Sequence, residues 1–167
     1  GQMNPDLLPD FVEPVTRGEA DYVKGNRFYH LESLEQMPLI RKVGNAILSL
    51  INKFTSGYWD IMDPTNGYTA IHRNALSHLP LDKISNRYFF ESDMLFRLGT
   101  IRAVVKDLPM SAIYADENSN LNVGAFAIQF TPLYIKSFFK RIFYTYFLRD
   151  FNVASLEMVV GSLLFLF

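Results

Sequence analysis

The amino-acid sequence predicts an α/β fold, because short strand patterns alternate with longer helical patterns along the chain. The strand patterns lie around residues 21–27, 67–72 and 102–108, next to glycine, proline or other turn-forming residues. Apolar residues at helical spacing occur between them, most clearly from Pro38 to Phe54. This alternation supports the α/β class and leaves the order of the strands open.

Composition limits the classes of function. The 167 residues are enough for one domain with a sizeable core. A net charge of −1 gives no global basic field that would point to nucleic acid. The chain has no cysteine, which excludes a disulfide framework and a thiolate metal site. Its three histidines lack zinc-site spacing, so they are interpreted as surface or packing residues.

The N-terminal part is predicted to be a helix followed by the first strand. Pro5 suits a first helical position, whereas Pro9 and Pro14 predict a short or kinked helix. An exit turn at residues 17–20 leads into a strand that ends at Gly25-Asn26-Arg27. A guanidinium offers a planar fork for phosphate, and glycine allows close backbone approach. Arg27 is therefore a candidate phosphate ligand, with a solvated surface arginine as the alternative.

The helix predicted between Pro38 and Phe54 has a basic first turn. Cations there oppose the helix dipole, an arrangement that a ligand anion would make tolerable. Arg41 is thus a second candidate phosphate contact. A solvated face is the preferred interpretation of Lys42 and Lys53.

The central stretch, residues 62–93, contains two turn-forming clusters with acidic groups. Asp63-Pro64 favours a turn, and Asn66-Gly67 tolerates positive φ before a short strand at 68–71. Farther along, Glu91 and Asp93 stand one residue apart in an aromatic and aliphatic run. Neighbouring carboxylates on an apolar wall suit a general base. The alternative is that one of them caps the following helix.

After this stretch, Met94–Leu98 is predicted to be helical and broken by Gly99. The third strand follows, then an extended edge segment at 109–114 and a polar loop at 115–120. The sequence from Asn118 to Arg149 has no acidic residue and combines cations with many aromatic rings. An interfacial membrane helix fits this pattern better than a base-stacking surface, and an aromatic core helix is the third interpretation.

The C-terminal segment from Val153 to Phe167 is almost entirely apolar. As a helix it would rise roughly 22 Å, less than the ~30 Å hydrocarbon core of a bilayer. We therefore expect the first part of a transmembrane helix whose remainder is missing. A soluble helix packed on the domain is the alternative.

Two motifs carry a resemblance to a known family. Asp63-Pro64-Thr65-Asn66-Gly67-Tyr68 with Arg73, followed by Phe90-Glu91-Ser92-Asp93-Met94-Leu95, resembles the second half of a family-2 glycosyltransferase of the membrane-attached dolichyl- or polyprenyl-phosphate type. The resemblance covers nearly the whole chain. It implies part of a GT-A-type catalytic domain at residues 1–129, an amphipathic juxtamembrane helix at 130–151 and a truncated transmembrane helix at 152–167.

The resemblance also implies a chemistry. The full protein would transfer a sugar from a nucleotide-sugar donor to a lipid-linked acceptor such as polyprenyl phosphate, at the cytoplasmic face of a membrane. A divalent ion, Mg²⁺ or Mn²⁺, would neutralise the departing diphosphate. Because the nucleotide-binding half is missing, little activity is expected from this excerpt alone. A non-catalytic, membrane-attached binding or scaffold module is the alternative.

The resemblance implies specific roles for eight residues. Asp93 would be the carboxylate nearest the acceptor, with Glu91 supporting it. Gln2 would help to hold the metal after an Asp-x-Asp motif that precedes this chain in the family. The remaining residues would contact the donor phosphates, in the case of Arg27 and Arg41, or line the acceptor side, in the case of Asp63, Asn66 and Arg73.

Overall fold

The computed structural model describes residues 4–29, 39–110 and 123–166, without the side chains of residues 40, 41 and 123–128. Its helices and strands are α1 Leu8–Thr16, β1 Tyr22–Asn26, α2 Leu39–Ser56, β2 Thr69–Ile71, α3 Arg73–Ser77, α4 Phe90–Thr100, β3 Val105–Pro109, α5 Val123–Ile142 and α6 Val153–Leu166. Among these residues there are also 3₁₀ turns at Pro5–Leu7, Leu81–Lys83 and Arg87–Phe89, and a π-helical segment at Phe143–Arg149.

The three predicted strands form one mixed sheet in the order β2-β1-β3, which confirms the α/β class. The central strand β1 pairs antiparallel with β2 and parallel with β3, so that Tyr22 lies opposite both Ile71 and Val105. All five residues of β1 are buried. Because both neighbouring strands and both faces cover it, any polar side chain on β1 must find its partners inside the protein.

Helices cover the two faces of the sheet. Successive side chains of a strand point to opposite faces, and β1 uses this alternation. Tyr22 packs in a cluster with Leu95 and Leu98 of α4, whereas Val23 packs with Phe11 of α1. These five side chains are at most 2% exposed, so the apolar core lies on both sides of β1.

Two glycines behave differently from the sequence-based expectation. Helix α4 runs through Gly99 to Thr100, so the predicted break there was wrong. A Cβ on Gly99 would lie 2.3 Å from the carbonyl oxygen of Ser56, which shows that the glycine serves close packing of α4 against α2. Positive φ at Gly67 is also not observed. Instead, the Asn66 side chain closes that turn by accepting the Tyr68 N–H at 3.0 Å.

The C-terminal helices have one packed face and one exposed face. Phe130 and Tyr134 of α5 are buried against Phe89, as an aromatic core helix would be. Ile135 and Phe139 of the same helix are 52% and 64% exposed, as an interfacial helix requires. Both interpretations therefore describe part of α5.

The 14-residue helix α6 is apolar, and most of its large side chains are exposed. Within the described ranges, no helix combines the length and the apolar character needed to cross a membrane. The assignment of residues 152–167 as a truncated transmembrane helix remains a prediction, as do the domain boundaries. The predicted edge segment is described only to Met110, whose N–H donates to the Asn26 carbonyl, and the loop at 115–120 lies outside the described residues.

Candidate active site

The carboxyl end of β1 is held by a buried ion pair. Arg27 follows directly on β1, and its Nε and Nη2 atoms lie 2.7 and 2.9 Å from the two carboxylate oxygens of Asp63. The Arg27 backbone N–H also donates to Asp63, at 3.2 Å. The Asp63 side chain has no exposed surface, and that of Arg27 is 29% exposed. Such a two-point, charge-assisted contact fixes both groups, so the Asp63 loop is positioned by the end of the strand.

Asn66 attaches the same loop to β1 at a second point. Its Nδ2 atom donates to the Gly25 carbonyl at 2.8 Å, and its own carbonyl accepts from Lys24 Nζ. A Cβ on Gly25 would lie 2.7 Å from Asn66 Nδ2 and 2.4 Å from Met110 Sδ, so glycine is required for this close approach. Three of the predicted site residues, Arg27, Asp63 and Asn66, are therefore brought together.

Lys24 and Asp107 complete the cluster, and sequence reasoning missed both as functional groups. Lys24 is fully buried in the middle of β1, and burial lowers the pKa of its ammonium group to about 8, although Asp63, Glu91 and Asp107 oppose this shift. Burial raises the pKa of Asp107 on β3 to about 6, and Asp63 adds to this increase. The available signal was a lysine among the apolar residues of a predicted strand, which does not reveal its partners.

Asp107 is incompletely satisfied. Its Oδ2 atom accepts from Asn26 Nδ2 at 3.1 Å and from the Met62 N–H at 2.9 Å. Its buried Oδ1 atom has no hydrogen-bond partner among the described residues. An unpaired oxygen on a carboxyl group with a raised pKa can hold a proton or accept one from a ligand.

Glu91 and Asp93 do not form a pair of neighbouring carboxylates. Both lie in the first turn of α4, where a separation of two residues turns side chains about 200° apart. Asp93 is 5% exposed and accepts from the Ser85 N–H at 2.7 Å and from Arg97 Nε at 3.0 Å. It thereby holds the loop before α4. The capping alternative was wrong, because α4 starts at Phe90 and no side chain caps it.

Glu91 faces the other way, toward the cluster. Its charge raises the pKa values of Lys24 and of Tyr134, which places it between β1 and α5. It is half-buried, and no residue within the described ranges donates a hydrogen bond to its side chain or pairs with it. Of the two predicted catalytic carboxylates, Glu91 is thus the one with unused acceptor capacity.

The remaining predicted residues lie apart or outside the described side chains. Arg73 is exposed at the start of α3, and the preceding His72 N–H donates to the Asp21 carbonyl. Asp21 is at the opposite end of β1 from Asn26, about 16 Å away at the usual rise of a strand. The Arg41 side chain and Gln2 lie outside the described part of the structure.

A cleft adjoins the ion pair. It has a volume of about 450 Å³ and lies between α2 and the residues that follow Arg27 and precede Asp63, namely Phe28 and Met62. Its wall is mainly apolar, and Lys42 and Lys53 supply positive charge. A long apolar ligand with an anionic end would match this lining.

The described residues do not by themselves fit a divalent cation. No group of three or more histidine, cysteine, aspartate or glutamate side chains is close enough there to bind a metal. Moreover, the Asp63 carboxylate is already occupied by Arg27, and Lys24 lies among the other acidic groups. The divalent ion and the role of Gln2 remain predictions that need ligands beyond this cluster.

Buried titratable groups beside a largely apolar cleft, on an α/β sheet, are the usual setting of an enzyme site. The chain is 29% identical over 140 residues to UDP-N-acetylglucosamine–dolichyl-phosphate N-acetylglucosaminyltransferase of Methanococcus voltae, an alignment that covers 81% of this chain and 55% of that protein. It is 28% identical over 116 residues to an uncharacterized protein of Methanocaldococcus jannaschii, covering 70% and 47% of the two chains. No protein-family model matches it. The chain thus spans about half the length of these curated relatives.

Proposed function

We propose that this chain is part of a glycosyltransferase, of the family-2 type, that transfers a sugar from a nucleotide-sugar donor to a lipid phosphate. The observation that carries the proposal is the similarity to the dolichyl-phosphate N-acetylglucosaminyltransferase across most of the chain. UDP-N-acetylglucosamine and dolichyl phosphate are accordingly the first donor and acceptor to test. The reaction would take place at the cytoplasmic face of a membrane.

The cleft beside the ion pair supports a lipid phosphate as acceptor. Its apolar wall suits a polyprenyl chain, which carries no hydrogen-bonding groups, and its two lysines suit the terminal phosphate. Residues Phe28 and Met62 in this wall are direct neighbours of Arg27 and Asp63. A phosphate bound near the lysines would therefore lie close to the cluster at the end of β1.

The roles in the transfer step follow from the surroundings of each group. An acceptor phosphate is already anionic, so a carboxylate near it is needed to orient it or to take up a late proton, and strong base catalysis is not required. The half-buried Glu91, which faces Lys24, is better placed for this than Asp93, whose oxygen is already engaged by Ser85 and Arg97. We therefore assign the direct role to Glu91 and a positioning role to Asp93.

The cations and the Asp63 loop have positioning roles in this proposal. The pair of Arg27 with Asp63 fixes the end of β1, so Arg27 would contact donor phosphate only with the guanidinium surface that Asp63 leaves exposed. Asn66 keeps the acceptor-side loop against the strand. Arg41 remains a candidate phosphate contact through its place in the first turn of α2, and Arg73 remains a candidate only for an acceptor that reaches the far end of β1.

The test uses the full-length protein with purified dolichyl phosphate and a panel of UDP- and GDP-sugars. Formation of the lipid-linked sugar is measured by mass spectrometry, and release of the nucleotide is measured in parallel. Product from one donor, dependent on the lipid phosphate, supports the proposal. If every donor is bound or ignored without product, and the protein still binds lipid, the non-catalytic binding module is the better description.

Matched variants separate the two carboxylates. Glu91→Gln and Asp93→Asn each remove one negative charge from α4 and change the size of the side chain little. The assignment predicts that Glu91→Gln lowers the rate per folded molecule, whereas Asp93→Asn acts mainly through stability. A rate loss confined to Asp93→Asn would restore the assignment made from the sequence.

A further inference from the structure

A second concave surface lies between α4 and α5, lined by ten residues that do not include the β1 cluster or the acceptor cleft. We call it the basic trough, and its volume is about 810 Å³. Five of its lining residues are cations and none is acidic: Lys83, Arg97, Lys136, Lys140 and Arg149. They come from the turn before α4, from α4 itself, from α5 and from the π-helical segment, so the tertiary fold assembles the charge.

The fold has not neutralised most of this charge. Asp93 pairs with Arg97 through Nε, and Arg97 also donates to the Lys83 carbonyl. Arg149 donates to the Thr100 carbonyl, which is an uncharged acceptor. Asp150, the acidic residue next to Arg149, pairs with Arg102 instead. One carboxylate therefore faces five cations.

Three lysines of the trough have no counterion. Lys83, Lys136 and Lys140 make no ion pair or side-chain hydrogen bond with any residue that the structure describes. Two of them, Lys136 and Lys140, are one helical turn apart on the exposed side of α5, and Tyr144 continues their line. Like charges gathered without counterions repel one another, and an anionic ligand removes that cost.

The edge of the trough is apolar. Ile135, Phe139 and Phe143 each precede a member of the line Lys136, Lys140 and Tyr144, and are 52%, 64% and 52% exposed. A shift of one residue turns the helix by about 100°, so the apolar stripe runs alongside the basic one. An apolar stripe bordered by lysines and a tyrosine matches the boundary between lipid tails and headgroups.

We propose that the basic trough binds the phosphate groups of anionic phospholipids, while the adjacent apolar stripe enters the acyl region. This surface is separate from the acceptor cleft, and its role does not depend on the proposed sugar transfer. It assigns lipid recognition to specific side chains, including Lys83, which lies outside the C-terminal helices. A soluble phosphate has the same chemistry, but it would leave the exposed stripe without a function.

Vesicle sedimentation of the full-length protein tests the proposal. Vesicles of phosphatidylcholine alone are compared with vesicles that contain phosphatidylglycerol. The variant Lys136→Gln/Lys140→Gln is compared with Arg17→Gln/Lys106→Gln, which removes the same charge from exposed positions outside the trough. At about fivefold for each lysine near an anionic surface, the first variant should weaken binding to anionic vesicles about 30-fold. The control variant should change it little, and neutral vesicles should not distinguish the two.

Further arms keep the test decisive. Lys136→Arg/Lys140→Arg should retain binding, because it preserves the charge and the donors. Thermal unfolding of each variant verifies that the protein remains folded. Equal losses for the trough and control variants overturn the proposal, as does an equal loss on neutral vesicles. Inorganic phosphate at matched ionic strength should not displace the protein from anionic vesicles. Displacement by phosphate, or by a single-stranded oligonucleotide, would show a site for a soluble anion or for nucleic acid and would overturn the lipid assignment.

Discussion

Removal of the Arg27 side chain is the sharpest test of the clamp at the end of β1. In Arg27→Ala, the fully buried Asp63 loses both guanidinium contacts, at 2.7 and 2.9 Å. Its other donors in the described structure are the weaker Thr65 hydroxyl at 3.4 Å and one backbone N–H at 3.2 Å. Breaking a buried ion pair by removing one partner typically costs about 3–5 kcal/mol. For a protein of this size class, that lowers the melting temperature by about 6–20 °C.

Arg17→Ala is the matched control. Arg17 also pairs with a carboxylate, Glu13 at 2.6 Å, but the two side chains are 64% and 53% exposed. Exposed pairs of this kind contribute about 0.3–0.5 kcal/mol, which corresponds to a shift of about 1–2 °C. Circular dichroism melts of both variants in the full-length protein provide the comparison. Equally small shifts would refute the reasoning that burial makes the Arg27 pair important.

Donor binding is a second readout of the same two variants. If Arg27 contacts phosphate as well as Asp63, Arg27→Ala should weaken nucleotide-sugar binding by about 1.5–3 kcal/mol, and Arg17→Ala should not. Calorimetry at a temperature where both variants are folded separates this effect from stability. Unchanged affinity in folded Arg27→Ala would leave Arg27 with the structural role alone.

Three further predictions concern other parts of the molecule. Asp93→Asn should lower the melting temperature, because it replaces a buried, paired carboxylate, whereas Glu91→Gln should reduce turnover on the order of 10²-fold; the reverse pattern would exchange their roles. Because the pKa of Asp107 is raised to about 6, the folded state holds a proton that the unfolded state loses above about pH 4, so stability should fall from pH 4 to pH 6. Urea melts should show this slope in the wild type but not in Asp107→Asn, and a slope that persists would assign it to another group. Deletion of residues 131–167 should abolish sedimentation with liposomes, and unchanged sedimentation would rule out these helices as the membrane-binding part.

The strands were predictable because local patterns determine them. The segments that became β1, β2 and β3 combine apolar residues with flanking turn formers, and the structure places all three within a few residues of the predicted positions. The alternation of Tyr22 and Val23 between the two faces follows directly from strand geometry.

Features that depend on distant partners could not be predicted in the same way. Lys24 is buried because the Asn66 carbonyl, 42 residues later, accepts from it. Gly99 stays helical because Ser56 of another helix packs against it, although glycine on its own favours a break. Likewise, the sequence placed Glu91 and Asp93 in one cluster, but the period of the helix separates them. Such outcomes are set by tertiary contacts, which propensity and spacing do not contain.

The clamp between Arg27 and Asp63 also has a consequence for variation in this protein. The two residues are 36 positions apart, and their contact returns the chain to the point where it left the sheet. Everything between them is an excursion that is closed at its base. Doubling the length of a flexible closed loop adds only about 0.6 kcal/mol of closure entropy, so such an excursion tolerates insertions better than the sheet does. Related proteins would therefore be free to lengthen or remodel this excursion and so change what the adjoining cleft accepts, while the strand order and the charged base stay the same.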